Sequence, residues 1–179
     1  MEEVPLDERR PLIVVGAVGD GFVAGAGNRM PWHAPGDLKQ FRRLTYGYTV
    51  IMGRTTWEGL AAPLEGRQNI VLSPDTRFSP NEALRVGSLP EALDRSAGDG
   101  PIFVIGGRVP WKEALEVADE IRLTRIYAAF NGNVYFPRID ESIWAEVDRE
   151  IHHGPVDGLR RRFDFITLRR RERIPRGRK

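Results

Sequence analysis

At 179 residues and 41% hydrophobic composition, the chain is long enough for one well-packed domain and short for two. No cysteine is present, which excludes disulfides, thiolate metal sites and cysteine nucleophiles, and no run approaches the roughly 18 apolar residues that cross a bilayer. The formal charge of +2 hides an asymmetry, because RRRERIPRGRK (169–179) holds seven basic residues and one acidic one, leaving the rest of the chain net negative.

In chain order, MEEVPLDERRP (1–11) is an acidic extension unlike a signal peptide, so a soluble cytoplasmic protein is expected. LIVVGA (12–17) is almost continuously apolar and predicts a central strand covered on both faces. VGDGFVAGAGNRMPW (18–32) follows, with four glycines and neither helical nor strand period. A connection of that length in a compact domain is usually functional or disordered, and Met30 and Trp32 give it an apolar end able to cover a ligand.

A helix is expected over 35–46, opened by Pro35, whose fixed φ suits the first turn. On it Asp37 points between Phe41 and Leu44, with Leu38 further round, while Lys39, Arg42 and Arg43 face away. An ionised carboxylate on an apolar face is costly unless a cation or a hydrogen-bond donor meets it. Asp37 is therefore the first candidate functional residue.

Strands are then expected at TVIMG (49–53), NIVLS (69–73), IFVIGG (102–107) and IRLTRIYAAF (121–130), and helices over about 54–61, 89–97 and 109–118. This alternation predicts an α/β domain: a mixed, mainly parallel central β-sheet flanked by helices. In the last third, SIWAEVDREIHH (142–153), a GPVDG connection (154–158) and LRRRFDFITLRRR (159–171) alternate polar and apolar residues with no helix between them, predicting a C-terminal antiparallel hairpin. The domain is expected to span 12–171 and the basic stretch 172–179 to be a solvated tail, without a nucleic-acid or membrane partner. His33, His152 and His153 lack metal-ligand spacing, so no metal is expected.

Two strand-to-helix junctions share a design. In MGRTTW (52–57) and IGGRVPW (105–111) a strand ends at glycine, an arginine follows and a helix begins, so backbone N–H groups and a guanidinium converge as in an anion site. Two such junctions at the carboxyl edge of one parallel sheet could hold the phosphates of a dinucleotide. An arginine there favours a cofactor with an extra 2′-phosphate.

From about Leu12 to Leu168 the chain resembles the bacterial dihydrofolate reductases, on AGAGNRMPWHAPGDLKQF, TVIMGRTTWEGL, PLEGRQNIVLS, IFVIGG, LTRI and VYFP in this order. The resemblance implies a dihydrofolate reductase-like fold and NADPH-dependent reduction of 7,8-dihydrofolate, with hydride transfer to C6 and protonation of N5. It implies dihydrofolate and antifolate inhibitors as ligands, and a monomer. It makes Asp37 the anchor of the pterin, with Thr124 bonding the same carboxylate and Trp32 ordering a water beside it. Substrate walls would be Val15, Gly16, Ala17, Leu38, Phe41, Leu60, Leu64 and Ile105, and Arg67 would pair with the α-carboxylate of the glutamate tail. The cofactor would meet Ala17, Ala24, Gly53, Arg54, Thr55, Thr56, Leu72, Ser73, Gly106, Gly107, Arg108, Val109 and Trp111.

Five positions depart from the family pattern: Ala24 for a larger aliphatic residue, Ala62 for a basic one, Trp111 for tyrosine, Asn133 for an aspartate that holds the mobile loop closed in some members, and Pro74 after Ser73. A related alternative is an NADPH-dependent pyrimidine reductase of riboflavin biosynthesis on the same fold. Such an enzyme would lack the buried aspartate five residues after the tryptophan and would lack Arg67.

Overall fold

The first strand, β1 (Leu12–Val18), divides its side chains by parity. Leu12, Val14 and Val18 join one buried cluster and Ile13 and Val15 another, as expected of a strand covered on both faces. The structure is a computed structural model that describes residues 9–172 and 174. Residues 1–8 of the extension, and 173 and 175–179 of the tail, lie outside the described residues.

After β1 come a short strand β2 (Val23–Gly25), helix α1 (Pro35–Thr45), β3 (Thr49–Gly53), α2 (Arg54–Gly59), β4 (Gln68–Leu72), β5 (Leu84–Val86), α3 (Leu89–Asp94), β6 (Ile102–Gly106), α4 (Arg108–Leu115), β7 (Glu120–Ile126), β8 (Val134–Tyr135), β9 (Trp144–Val156) and β10 (Leu159–Arg170). Eight strands form one sheet in the order β5-β4-β3-β6-β1-β7-β10-β9. Pairings from β5 through β7 are parallel, and β10 and β9 add antiparallel. β2 and β8 form a separate antiparallel ribbon. The mixed, mainly parallel sheet with a C-terminal hairpin is thus as expected.

Helices α1 and α2 supply Phe41, Leu44 and Trp57 to the Ile13, Val50, Met52 and Phe103 side. Helices α3 and α4 supply Leu89, Ala92, Trp111 and Ala114 to the Leu12, Val14, Ile51 and Val104 side. Because parallel strands are joined by crossovers, every helix in these units starts at the same carboxyl edge of the sheet.

Several boundaries differ from expectation. The helix expected over 89–97 ends at Asp94, where the Arg10 guanidinium takes the carbonyls of Ser96, Ala97 and Gly100. The helix expected over 109–118 runs Arg108–Leu115, and Arg170 accepts its departure by donating to the Leu115 and Ala118 carbonyls. The strand expected over 121–130 stops at Ile126. In the hairpin the connection is only Asp157 and Gly158, both at positive φ, so GPV belongs to β9 and not to a five-residue loop. β2, β5 and β8, of three residues or fewer, have no counterpart in the sequence reading.

Candidate active site

A cavity of about 1400 Å³ opens along the carboxyl edges of β1, β3 and β6, where α1, α2 and α4 begin. Small-molecule pockets are commonly about 300–1000 Å³, so this one has room for two ligands side by side. Val15, Gly16, Ala17, Ala24, Trp32, Asp37, Leu38, Phe41, Gly53, Arg54, Thr55, Thr56, Leu60, Leu64, Arg67, Leu72, Ser73, Ile105, Gly107, Arg108, Val109, Trp111 and Thr124 all line it. Gly106 alone of the expected residues does not. It lies behind the wall with φ +137°, where a Cβ would stand 3.2 Å from Trp111 and 3.3 Å from Thr56 Oγ1.

In the cavity wall, Asp37 sits in the first turn of α1 with 7% of its surface exposed. Burial pushes its carboxyl up to about 6, and a hydrogen bond from the Thr124 hydroxyl pulls it part of the way back. None of the described Lys, Arg or His residues forms an ion pair with it. Thr124 is brought here by register, since β7 lies beside β1 with Thr124 opposite Ala17. Trp32 packs against Phe130 at 4.9 Å and is buried, yet its Nε1 is the one buried side-chain polar atom without a partner among the described residues. A buried donor of this kind is satisfied by a ligand or a water.

Further out, Arg67 is held by neutral acceptors: Nε donates to the Glu65 carbonyl at 3.0 Å and Nη1 to Thr45 Oγ1 at 3.0 Å. Burial lowers its pKa most and the nearby Arg42 charge lowers it further, with Tyr46 and Glu65 offsetting part of the fall. Its loop is shaped by Asn69, which accepts from Leu64 N and donates to the Leu64 and Arg67 carbonyls, all within 3.1 Å. The sequence reading passed over Asn69, because nothing local signals that a strand residue clamps the loop before it.

The two junctions do converge. A Cβ on Gly53 would lie 3.2 Å from Pro110 Cγ and 3.8 Å from the Gly107 nitrogen, and one on Gly107 would lie 3.3 Å from Thr56 Oγ1. Arg54 is half-exposed, bonded to Glu58 at 2.7 Å and Asp75 at 3.4 Å and lying over Phe78, while Arg108 has no ion pair among the described residues. Trp111 is tied down by its Nε1, which donates to the Val15 carbonyl at 2.9 Å. That bond joins the α4 wall to β1 at the centre of the cleft.

The 18–32 segment, expected to cover a ligand as a lid, lines one side of the cavity. β2 pairs with β8, and Ala26 and Arg29 exchange backbone hydrogen bonds around Gly27 and Asn28. Gly27 has φ +62° while Asn28 does not have positive φ, the pattern of a type II′ hairpin turn. Asn133 Oδ1 accepts from Gly27 N at 2.8 Å, and Asn133 N donates to the Gly25 carbonyl at 3.0 Å. The amide therefore makes a loop-holding contact of the type expected of an aspartate. Asn28, Arg29 and Gly59 also line the cavity and were missed, the turn because its strands are too short to show a period.

The dihydrofolate reductase family profile matches residues 11–170. The chain belongs to the dihydrofolate reductase family. It is 38% identical over 139 residues to the dihydrofolate reductase of Neisseria gonorrhoeae, covering 77% of this chain and 86% of that protein. With the Bacillus subtilis dihydrofolate reductase it shares 40% identity over 128 residues, 70% of this chain and 75% of that one. A solved structure of the Enterococcus faecalis dihydrofolate reductase, complexed with NADP(H) and RAB-propyl, superposes with a TM-score of 0.81 at 33% identity, covering 90% of this chain and 97% of that one.

Proposed function

We propose that this cleft reduces 7,8-dihydrofolate to 5,6,7,8-tetrahydrofolate with NADPH, Asp37 anchoring the pterin. The observation that carries the reading is a buried carboxylate in the wall of the pocket, with a threonine hydroxyl beside it and no ion pair to it among the described residues. Such a group needs a ligand that donates hydrogen bonds or carries positive charge. The 2-amino and N3 edge of a pterin supplies both.

The residues fit NADPH. The converging Gly53 and Gly107 junctions present backbone N–H groups to phosphates, Arg54 offers a guanidinium toward the 2′-phosphate, and Leu72 and Ser73 lie at the strand end beyond. When bound, the cofactor supplies the hydride that goes to C6.

Asp37 stabilises a protonated pterin electrostatically in a water-poor pocket and so eases protonation at the weakly basic N5. It holds the far edge of the ring, so the proton comes from water. Trp32 Nε1, a buried donor without a partner among the described residues, would order that water. Leu38, Phe41, Leu60 and Leu64 exclude solvent around the ring, and Arg67, pre-positioned by Thr45 and Asn69, pairs with the glutamate carboxylate. These groups favour dihydrofolate over a ribosylated pyrimidine, which has no such carboxylate to offer Arg67.

The test follows NADPH consumption with dihydrofolate. Turnover by the parent is expected, with a loss of at least about tenfold at neutral pH in Asp37→Asn, more than about 1.4 kcal/mol of barrier. Part of that loss should return as the pH falls, because the variant depends on substrate already protonated in solution. A parent without turnover sinks the reading, and an unimpaired variant sinks the role of Asp37.

A further inference from the structure

The lid reaches across the cleft to a glycine. Asn28, at the tip of the Ala26–Arg29 turn, lies against Gly59, the last residue of α2, on the opposite wall. A Cβ on Gly59 would stand 1.8 Å from the Asn28 carbonyl oxygen, 2.9 Å from its carbonyl carbon and 3.3 Å from its Cβ. The first two are backbone atoms, which no change of rotamer can move aside.

Gly27 and Gly59 are glycines for opposite reasons. Gly27 has φ +62° and nothing within 4 Å of its missing Cβ, so the turn needs its conformation and not its size. Gly59 is not among the residues of positive φ, so alanine would suit its backbone; the position needs space. Only a residue without a side chain lets the lid come down on α2.

The contact completes a strap. One end is fixed to the β2–β8 ribbon through Asn133, which bonds Gly27 and Gly25. The other end rests on the helix that begins at Arg54, in the cofactor junction. We propose that Gly59 is the seat of the lid, a positioning residue whose missing side chain lets the Asn28 carbonyl dock on α2 and hold the cleft closed for hydride transfer. The proposal rests on the reductase reading, and parent turnover tests that reading separately.

The experiment compares the parent, Gly59→Ala and Gly59→Ala combined with Asn28→Gly, which frees the colliding carbonyl to swing away. Single-turnover hydride transfer is measured with NADPH and with NADPH deuterated at the transferred position, and amide hydrogen exchange is measured across 26–30 in the NADPH complex. In Gly59→Ala we expect hydride transfer about tenfold slower, since small misplacements near reacting atoms carry penalties of this order. The Gly27 amide should exchange about tenfold faster as the lid opens. Dihydrofolate affinity, set at the Asp37 end, should change less than about twofold. The melting temperature should hold or rise, because alanine suits a helix better than glycine. The second substitution should restore most of the lost rate. A Gly59→Ala variant with the parent rate, or a slowed one whose lid exchange is unchanged or whose loss the second substitution does not repair, overturns the proposal.

Discussion

Asp37 is a group kept at the expense of stability. Its carboxyl is raised from 3.8 to about 6 in the folded chain, so the native state binds its proton more tightly than the unfolded state does. Below about pH 4 both states are protonated and nothing is lost. Between about pH 4 and 6 the unfolded chain ionises first, stability falls as pH rises, and above about pH 6 the full cost stands, roughly 3 kcal/mol at about 1.4 kcal/mol per pKa unit. Asp37→Asn cannot ionise, so it should unfold at higher denaturant than the parent near pH 8, with the gap closing as pH falls toward about 4. Denaturant melts at several pH values check this, and a gap that does not depend on pH refutes it. Helical periodicity in MPWHAPGDLKQF was enough to find this residue, because the placement of a side chain on a helix face depends on neighbours within one turn. Periodicity could reach neither Thr124, named only through the resemblance carried by LTRI, nor Asn69, which was missed: one enters by strand order, the other by a loop folding back.

At the level of elements, the cleft depends on how helices are pinned to strands. α2 has six residues and α4 eight, so neither start has a strong dipole, and the junctions rely on glycine backbone and arginine instead. Trp111 is the pin for α4, with 6% exposure, its Nε1 on the Val15 carbonyl and its ring 5.0 Å from Phe136. Trp111→Phe keeps an aromatic wall but takes a donor away from a buried carbonyl, which costs about 1–3 kcal/mol. At about 2–4 °C per kcal/mol for a chain of this size, thermal denaturation should show a fall of roughly 2–12 °C. An unchanged melting temperature would show that the bond contributes nothing. The long buried strands and amphipathic helices were legible because they repeat a period over five or more residues. β2, β5 and β8 were not, and in AGAGNR the signal was a single glycine at the first position of a type II′ turn, which four glycines in fifteen residues obscured.

Across the whole molecule, the sheet order sets the cleft at its centre and ties the residues before β1 to the end of β10 behind it. Asp119, following α4, accepts from Leu12 N at 2.9 Å and pairs with Arg9, and its carbonyl accepts from Arg170 N at 3.1 Å. Arg170 donates onward to Ala118 and Leu115 and lies 4.6 Å over the Trp144 ring. The end of β10 therefore staples the carboxyl end of the helix whose start faces the cleft. This divides the basic C-terminal run into two parts with different work: Arg170 belongs to the domain, while Glu172 is exposed and Ile174 touches it through one carbonyl contact to Arg9. Removing residues 172–179 should leave turnover unchanged and shift the melting temperature by less than about 2 °C. Arg170→Ala should lower it by more, because two carbonyls at the end of α4 lose a part-buried charged donor, worth about 1.5–3 kcal/mol for a bond to an ionised group. Steady-state assays with thermal denaturation of both variants check the division, and a large fall in kcat on truncation would place the basic tail within the working machinery.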